Sequence, residues 1–154
     1  MKKIFLGLTI ISSFLFSSDL TPKNFDEYLK SFDLKERNDM KIKSVDMLNM
    51  LENGTAILID IRFREEFEAW NLPFSKNIPL NELPNRLNEL PKDKLIITAC
   101  PHNDRSNMAR MYLTMKGYNS KYLSDGLLKV ADYLRGDNAV EFIQIGRASC
   151  RERV

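Results

Sequence analysis

The chain has 154 residues, a formal net charge of +2, two cysteines and one histidine. That length holds one domain with a sizeable core. The near-balanced charge offers no electrostatic footprint for nucleic acid or an anionic membrane surface. One histidine and two thiols leave no ligand set for a metal site.

Residues 1–18 read as a secretory signal peptide. Lys2 and Lys3 give a positive start, Ile4 to Phe16 an apolar core, and Ser17-Ser18 a small-residue exit. As a helix that core spans about 20 Å, short of a ~30 Å bilayer. An uncleaved anchor is the alternative. No cysteine follows the core directly, which argues against lipoprotein processing. The pattern looks bacterial. It predicts cleavage near Ser17 or Ser18 and a periplasmic mature protein with no stable membrane span.

Residues 19–40 predict a short helical extension. Thr21 suits the cap, Pro22 the first helical position, and Asp26-Glu27 the first turn. Phe25, Tyr28, Leu29 and Phe32 then share one apolar face, expected to dock on the domain.

From residue 41 onward helical and apolar segments alternate. Ser44 caps a helix over Val45, Leu48 and Leu51 that ends at Asn53-Gly54. Residues 56–59 form a continuous apolar run, followed by Asp60 and Arg62. Asn81 to Leu90 is helix-like, with Leu83, Leu87 and Leu90 on one side and Pro91 as the stop. A second apolar run covers 95–99. Continuous runs of this kind read as strands buried on both faces of a parallel sheet. Strands alternating with helices predict an α/β layer fold, in which ligands bind beyond the carboxyl ends of the strands. Asp60 and Cys100 both stand at those ends.

Cys100 opens a short polar loop, Cys100-Pro101-His102-Asn103-Asp104-Arg105-Ser106, and a helical pattern follows from Asn107 to Lys116. Strand, cysteine, loop with arginine, helix: that order builds an anion cradle around a sulfur nucleophile. Backbone amides and the helix dipole at a helix start favour negative charge, and a thiolate is such a charge. His102 stands two residues from Cys100 on the same loop, poor geometry for a catalytic base. It is read as a substrate-facing residue. Pro101 removes one backbone N–H from the cradle, and Asp104 partly offsets the charge of Arg105.

Met108, Met111, Tyr112 and Met115 form a stripe read as core packing. Arg135-Gly136-Asp137 reads as a helix exit, with 138–144 a C-terminal segment. Residues 145–154 show no periodicity, and their back-translation resembles a common sequencing adapter in one frame. They are read as an artefact and excluded from fold reasoning. The tail holds Arg147, Arg151 and Arg153 against Glu152 and so carries the whole net positive charge. It also holds Cys150. Cys100 then stands alone in an oxidising compartment, with no partner for a structural disulfide or a Cys-x-x-Cys redox pair.

The loop resembles that of single-domain rhodanese-like sulfurtransferases, Cys-x-x-Gly-x-Arg-Ser. Phosphatases of the same fold have one residue more between cysteine and arginine. Upstream, Asp60-Ile61-Arg62 is similar to the family's Asp-x-Arg, Glu66-Phe67 to its Glu-Phe, and Asn77-Ile78-Pro79 to its Asn-Ile-Pro. Downstream, Leu123-Ser124-Asp125-Gly126 falls where the family has Leu-x-Gly-Gly. The resemblance covers roughly residues 41 to 135. It implies a rhodanese-like domain over 41–137, with a central parallel sheet that includes 56–59, 76–79, 95–99 and 120–123. Asn103 replaces the loop glycine, and asparagine tolerates the left-handed conformation next best. Trp70-Asn71-Leu72-Pro73 replaces Gly-His-Ile-Pro, and Asp125 and Val130 replace glycine and tryptophan.

The resemblance also implies roles. Cys100 is the nucleophile. Arg105 folds back over the loop and binds the anionic donor together with His102, Asn103, Asp104 and Ser106. Ser106 bonds the sulfur or caps the helix. Asp60 and Arg62 brace the loop. No cofactor and no metal take part. The implied partners are a small anionic sulfur donor, a thiol or cyanide acceptor, or a protein acceptor, and no nucleic acid. The expected function is sulfane-sulfur transfer through a cysteine persulfide. The alternative is a non-enzymatic module that binds a partner or senses redox state.

Overall fold

The computed structural model describes residues 24–143. The expected signal peptide, the Thr21-Pro22 helix start and the 145–154 tail lie outside the described residues. No helix among the described residues is long and apolar enough to cross a membrane.

Five parallel strands form the centre: β1 (Lys41–Ile42), β2 (Ala56–Asp60), β3 (Ser75–Asn77), β4 (Leu95–Ala99) and β5 (Ser120–Leu123). Their order is β1-β5-β4-β2-β3. The apolar run of β4 lies in the middle, and all five of its residues are buried. Side chains alternate across it, as strand geometry requires. Ile97 and Ala99 join a core with Leu58, Met47, Leu48, Leu127 and Val130. Ile96 and Cys100 join the opposite core with Ile59, Ile61, Leu83, Ala109 and Leu113. Helices α3 (Ser44–Glu52) and α6 (Gly126–Tyr133) supply the first core, and α5 (Asp104–Met115) the second. The architecture is α/β, as the buried-type runs predict.

Several expectations need correction. The strand expected at 76–79 is Ser75–Asn77. Asn81–Leu90 is not one helix but two 3-10 turns, Leu83–Asn85 and Leu87–Glu89. Pro84 lies inside the segment and has no N–H to give a helix interior. The leucines still reach the core, Leu83 and Leu90 buried and Leu87 partly so. Helix α5 begins at Asp104, three residues before the expected start. Its buried face is Ser106, Ala109, Arg110 and Leu113. The methionine stripe is rotated away from that face, with Met108 56% exposed.

The extension is two helices, α1 (Phe25–Lys30) and α2 (Leu34–Asp39). Asn24 caps the first in a capping box with Glu27, and Asp33 caps the second. Of the expected apolar face only Tyr28 is buried; Phe25, Leu29 and Phe32 are exposed. Helix α4 (Arg64–Ala69) follows β2. Residues 137–143 are helical, and Phe142 packs on Phe74 with ring centroids 4.9 Å apart.

Candidate active site

Parallel pairing places the site. Asp60 is in register with Ala99, and the Ile61 N–H donates to the Ala99 carbonyl across 3.0 Å. The carboxyl ends of β2 and β4 therefore lie side by side, which brings Asp60 next to Cys100 in the sheet.

Asp60 and Arg62 form a buried ion pair. Arg62 Nε lies 3.0 Å from both carboxylate oxygens and Nη2 lies 2.7 Å from Oδ2. The same guanidinium donates to the Glu66 carbonyl at 3.3 Å and the Trp70 carbonyl at 2.8 Å. It also lies 4.2 Å from the centroid of a Trp70 ring. Planar, forked and always charged, arginine suits this many simultaneous partners. The pair anchors α4 to the end of β2, and its side-chain hydrogen bonds reach α4 rather than the Cys100 loop. Asn77 adds a clasp, its Nδ2 donating to the Asp60 and Arg62 carbonyls at 3.0 Å each.

With α4 fixed, Glu66 faces the loop. Arg105 does not fold back over the loop as expected. Its Nη1 and Nη2 donate to the Glu66 carboxylate at 2.6 and 2.9 Å. The expected geometry gives way because a bidentate arginine–carboxylate pair is among the strongest charged hydrogen-bond arrangements. Arg105 holds the Glu66 carboxyl below the usual carboxylate range, and Glu66 raises the guanidinium in turn. A lowered acid favours the folded state above its ordinary pKa. That contribution is lost as pH falls through the lowered value.

Cys100 is fully buried at the mouth of the loop. Its thiol donates to Asp104 Oδ1 across 3.6 Å. The backbone amides of Arg105, then of Asp104 itself, hold the Asp104 carboxyl below its usual range. Ser106 bonds neither sulfur nor a cap amide. Its hydroxyl donates to the Asn103 carbonyl at 3.1 Å, and its own carbonyl accepts from Thr98 Oγ1 at 2.8 Å. Asn103 Nδ2 donates to the Ser124 carbonyl at 3.2 Å. Its φ is −153°, so the left-handed conformation expected of this glycine replacement is not used. His102 is exposed.

Three functional positions were missed at the sequence level. Glu66 carries a motif match but is 39 residues from Arg105, and only sheet register joins them. Asn77 likewise reads as part of a strand. Gly126, with φ +74°, backs the loop so closely that a Cβ would overlap the Pro101 and His102 carbonyls. Leu127 N–H then donates to the Cys100 carbonyl at 2.9 Å. No group of metal-binding side chains occurs among the described residues.

The rhodanese-like domain family matches residues 44–132, more than half of the chain. The chain belongs to that family. Within it, the rhodanese-like domain is 30% identical over 76 residues to thiosulfate sulfurtransferase GlpE of Pseudomonas syringae pv. syringae. That match covers 49% of this chain and 72% of GlpE. It is 39% identical over 59 residues to an HTH-type transcriptional regulator of Mycobacterium tuberculosis, covering 38% of this chain. Of that regulator the match spans only 26%. A crystal structure of a rhodanese-related protein from Thermoplasma volcanium superposes with a TM-score of 0.55 at 25% identity. It covers 60% of this chain and 90% of the other.

Proposed function

We propose that the protein is a sulfurtransferase that carries sulfane sulfur as a Cys100 persulfide. One observation carries the reading. The lone free cysteine among the described residues stands at the carboxyl end of the central strand, at the start of α5, with a carboxylate-paired arginine beside it. The Cys100 thiolate attacks the outer sulfur of thiosulfate or a related sulfane donor. A new sulfur–sulfur bond forms at Sγ, the donor's own bond breaks, and sulfite leaves with the electron pair. A thiol or cyanide then attacks the outer sulfur of the persulfide and restores the thiolate in a ping-pong cycle. Arg105, once released from Glu66, and the amides at the start of α5 stabilise the anionic groups of donor and persulfide. The similarity to GlpE supports the donor class.

The full burial of Cys100 favours one second reading, a binding module on the same fold. Intact mass after incubation with a panel of sulfane donors separates the two. A gain of one sulfur atom, absent in Cys100→Ser, supports transfer. No gain with any donor hands the protein to the module reading. The setting we propose is the periplasm, on the strength of the Lys2-Lys3 start and short apolar core. N-terminal sequencing of native protein tests it, and a retained Met1 in a cytoplasmic fraction overturns it.

A further inference from the structure

An anion that enters a sulfur-transfer loop needs backbone amides and a cationic side chain free to receive it. In this chain one acid engages the cation and another the reacting sulfur. The Asp104 carboxylate lies 3.6 Å from Cys100 Sγ, the atom a donor must reach. The Arg105 guanidinium is closed on Glu66. The next arginine, Arg62, is buried against Asp60. The Asp104 carboxylate itself makes no ion pair shorter than 4.0 Å among the described residues. Asp104 is exposed yet touches a sulfur that is not, so its carboxylate stands on the solvent side of the thiol. The adjoining turn adds another exposed acid, Asp125, and its backbone is locked to the loop through Asn103 and Gly126.

Resting on the sulfurtransferase reading, we infer that Asp104 is a specificity-determining residue, a built-in anion beside the reacting sulfur that selects sulfane donors of low charge. The chemical class favoured is the hydropersulfide of a thiol, and the class disfavoured is the dianion thiosulfate. In the favoured step the Cys100 thiolate attacks the terminal sulfur of R–S–S–H. The Sγ–S bond forms, the donor S–S bond breaks, and the thiolate R–S⁻ leaves with the electron pair. Atoms, charge and oxidation level balance without any further reactant. Thiosulfate must bring two negative charges up to a carboxylate 3.6 Å from Cys100 Sγ. A hydropersulfide brings at most one at its reacting end. Repulsion of this kind acts at short range and is screened by salt.

The test compares two donors, thiosulfate and mercaptoethanol hydropersulfide, on the full chain and its Asp104→Asn and Asp104→Glu variants. The rate of Cys100 persulfide formation is followed by intact mass. Intrinsic donor reactivity cancels when the thiosulfate-to-hydropersulfide rate ratio is compared between proteins. Asp104→Asn is expected to raise that ratio by about tenfold. Asp104→Glu keeps the charge and is expected to keep the wild-type ratio. The thiosulfate rate of the wild type is expected to rise with ionic strength, and that slope to flatten in Asp104→Asn. An unchanged ratio in Asp104→Asn, or a thiosulfate rate that falls with salt in wild type, overturns the inference and leaves sulfur transfer standing. Failure of both donors to load Cys100 in wild type overturns the sulfurtransferase reading, and the inference falls with it.

Discussion

Arg105 meets Glu66 through two short charged hydrogen bonds, so an anion that binds the loop competes with a carboxylate already in place. Arg105→Ala therefore removes the loop's cation and leaves the Glu66 carboxylate without its guanidinium partner. A lost charged hydrogen bond of about 1.5–3 kcal/mol implies roughly a 10- to 150-fold drop in sulfur transfer. The fold is expected to persist, because the pair is partly exposed and surface pairs contribute little. Cys100→Ser is expected to abolish transfer, since a hydroxyl cannot hold a persulfide. Steady-state turnover by the two variants checks both, and wild-type turnover in Arg105→Ala would remove that residue from the reaction. At this scale the sequence was legible where chemistry and local order coincide. Cys100 follows a buried strand and precedes a helix, and both are visible in the residue pattern. The orientation of Arg105 was not legible. It is decided by Glu66, 39 residues away in sequence, a contact no local window contains.

Elements show the same division. Strands β2 and β4 are continuous apolar runs, and a parallel sheet is the setting in which both faces of such runs are buried. Helix α5 was legible as a helix, but its buried face was not. Its mean polarity is high, and the core-facing positions include Ser106 and Arg110 beside Ala109 and Leu113. A pattern keyed to large apolar side chains selects the methionines instead. The 81–90 segment shows the converse: its leucine spacing is helical and its burial real, yet Pro84 restricts it to separate turns. The turn between β5 and α6 is the element on which the loop leans. Gly126 combines a positive φ with a backbone approach to Pro101 and His102 that leaves no room for a methyl group. Gly126→Ala is expected to cost about 1–2 kcal/mol for the left-handed conformation. Overpacking adds about 1–3 kcal/mol. A melt several degrees below wild type, together with slower persulfide formation, is the expected result. An unchanged melting temperature would show that the turn is not tight.

Across the whole molecule, one charge ties the extension to the domain: Arg110, buried to 3% exposure on α5. Its Nε donates to the Ser120 carbonyl at 3.2 Å, within the α/β domain. Its remaining bonds leave the region that the family match covers. Nη1 donates to the Tyr28 hydroxyl at 2.6 Å and Nη2 to Glu36 Oε1 at 2.6 Å. Tyr28 donates to that same carboxylate at 3.1 Å, and burial pushes its hydroxyl pKa up. Lys121 Nζ adds a bond to the Asp39 carbonyl at 2.6 Å. The family match starts at residue 44, so these partners lie outside it, 74 and 82 residues from Arg110 in sequence. The sequence pattern predicts docking through an apolar face, of which only Tyr28 is buried; that the dock is ionic was not legible, because the acid sits on the second helix. Glu36→Ala leaves a guanidinium buried without its carboxylate, a change that costs about 3–5 kcal/mol where pairs are well buried. Trimming the chain to begin at residue 41 removes the same carboxylate and is expected to destabilise the domain comparably. Replacing both partners by apolar residues, Glu36→Leu with Arg110→Met, removes the charge along with its counterion. That double variant is expected to be more stable than Glu36→Ala alone. Urea unfolding midpoints decide the matter. Small and additive effects across the series would mean that residues 25–39 ride on the domain without holding it together.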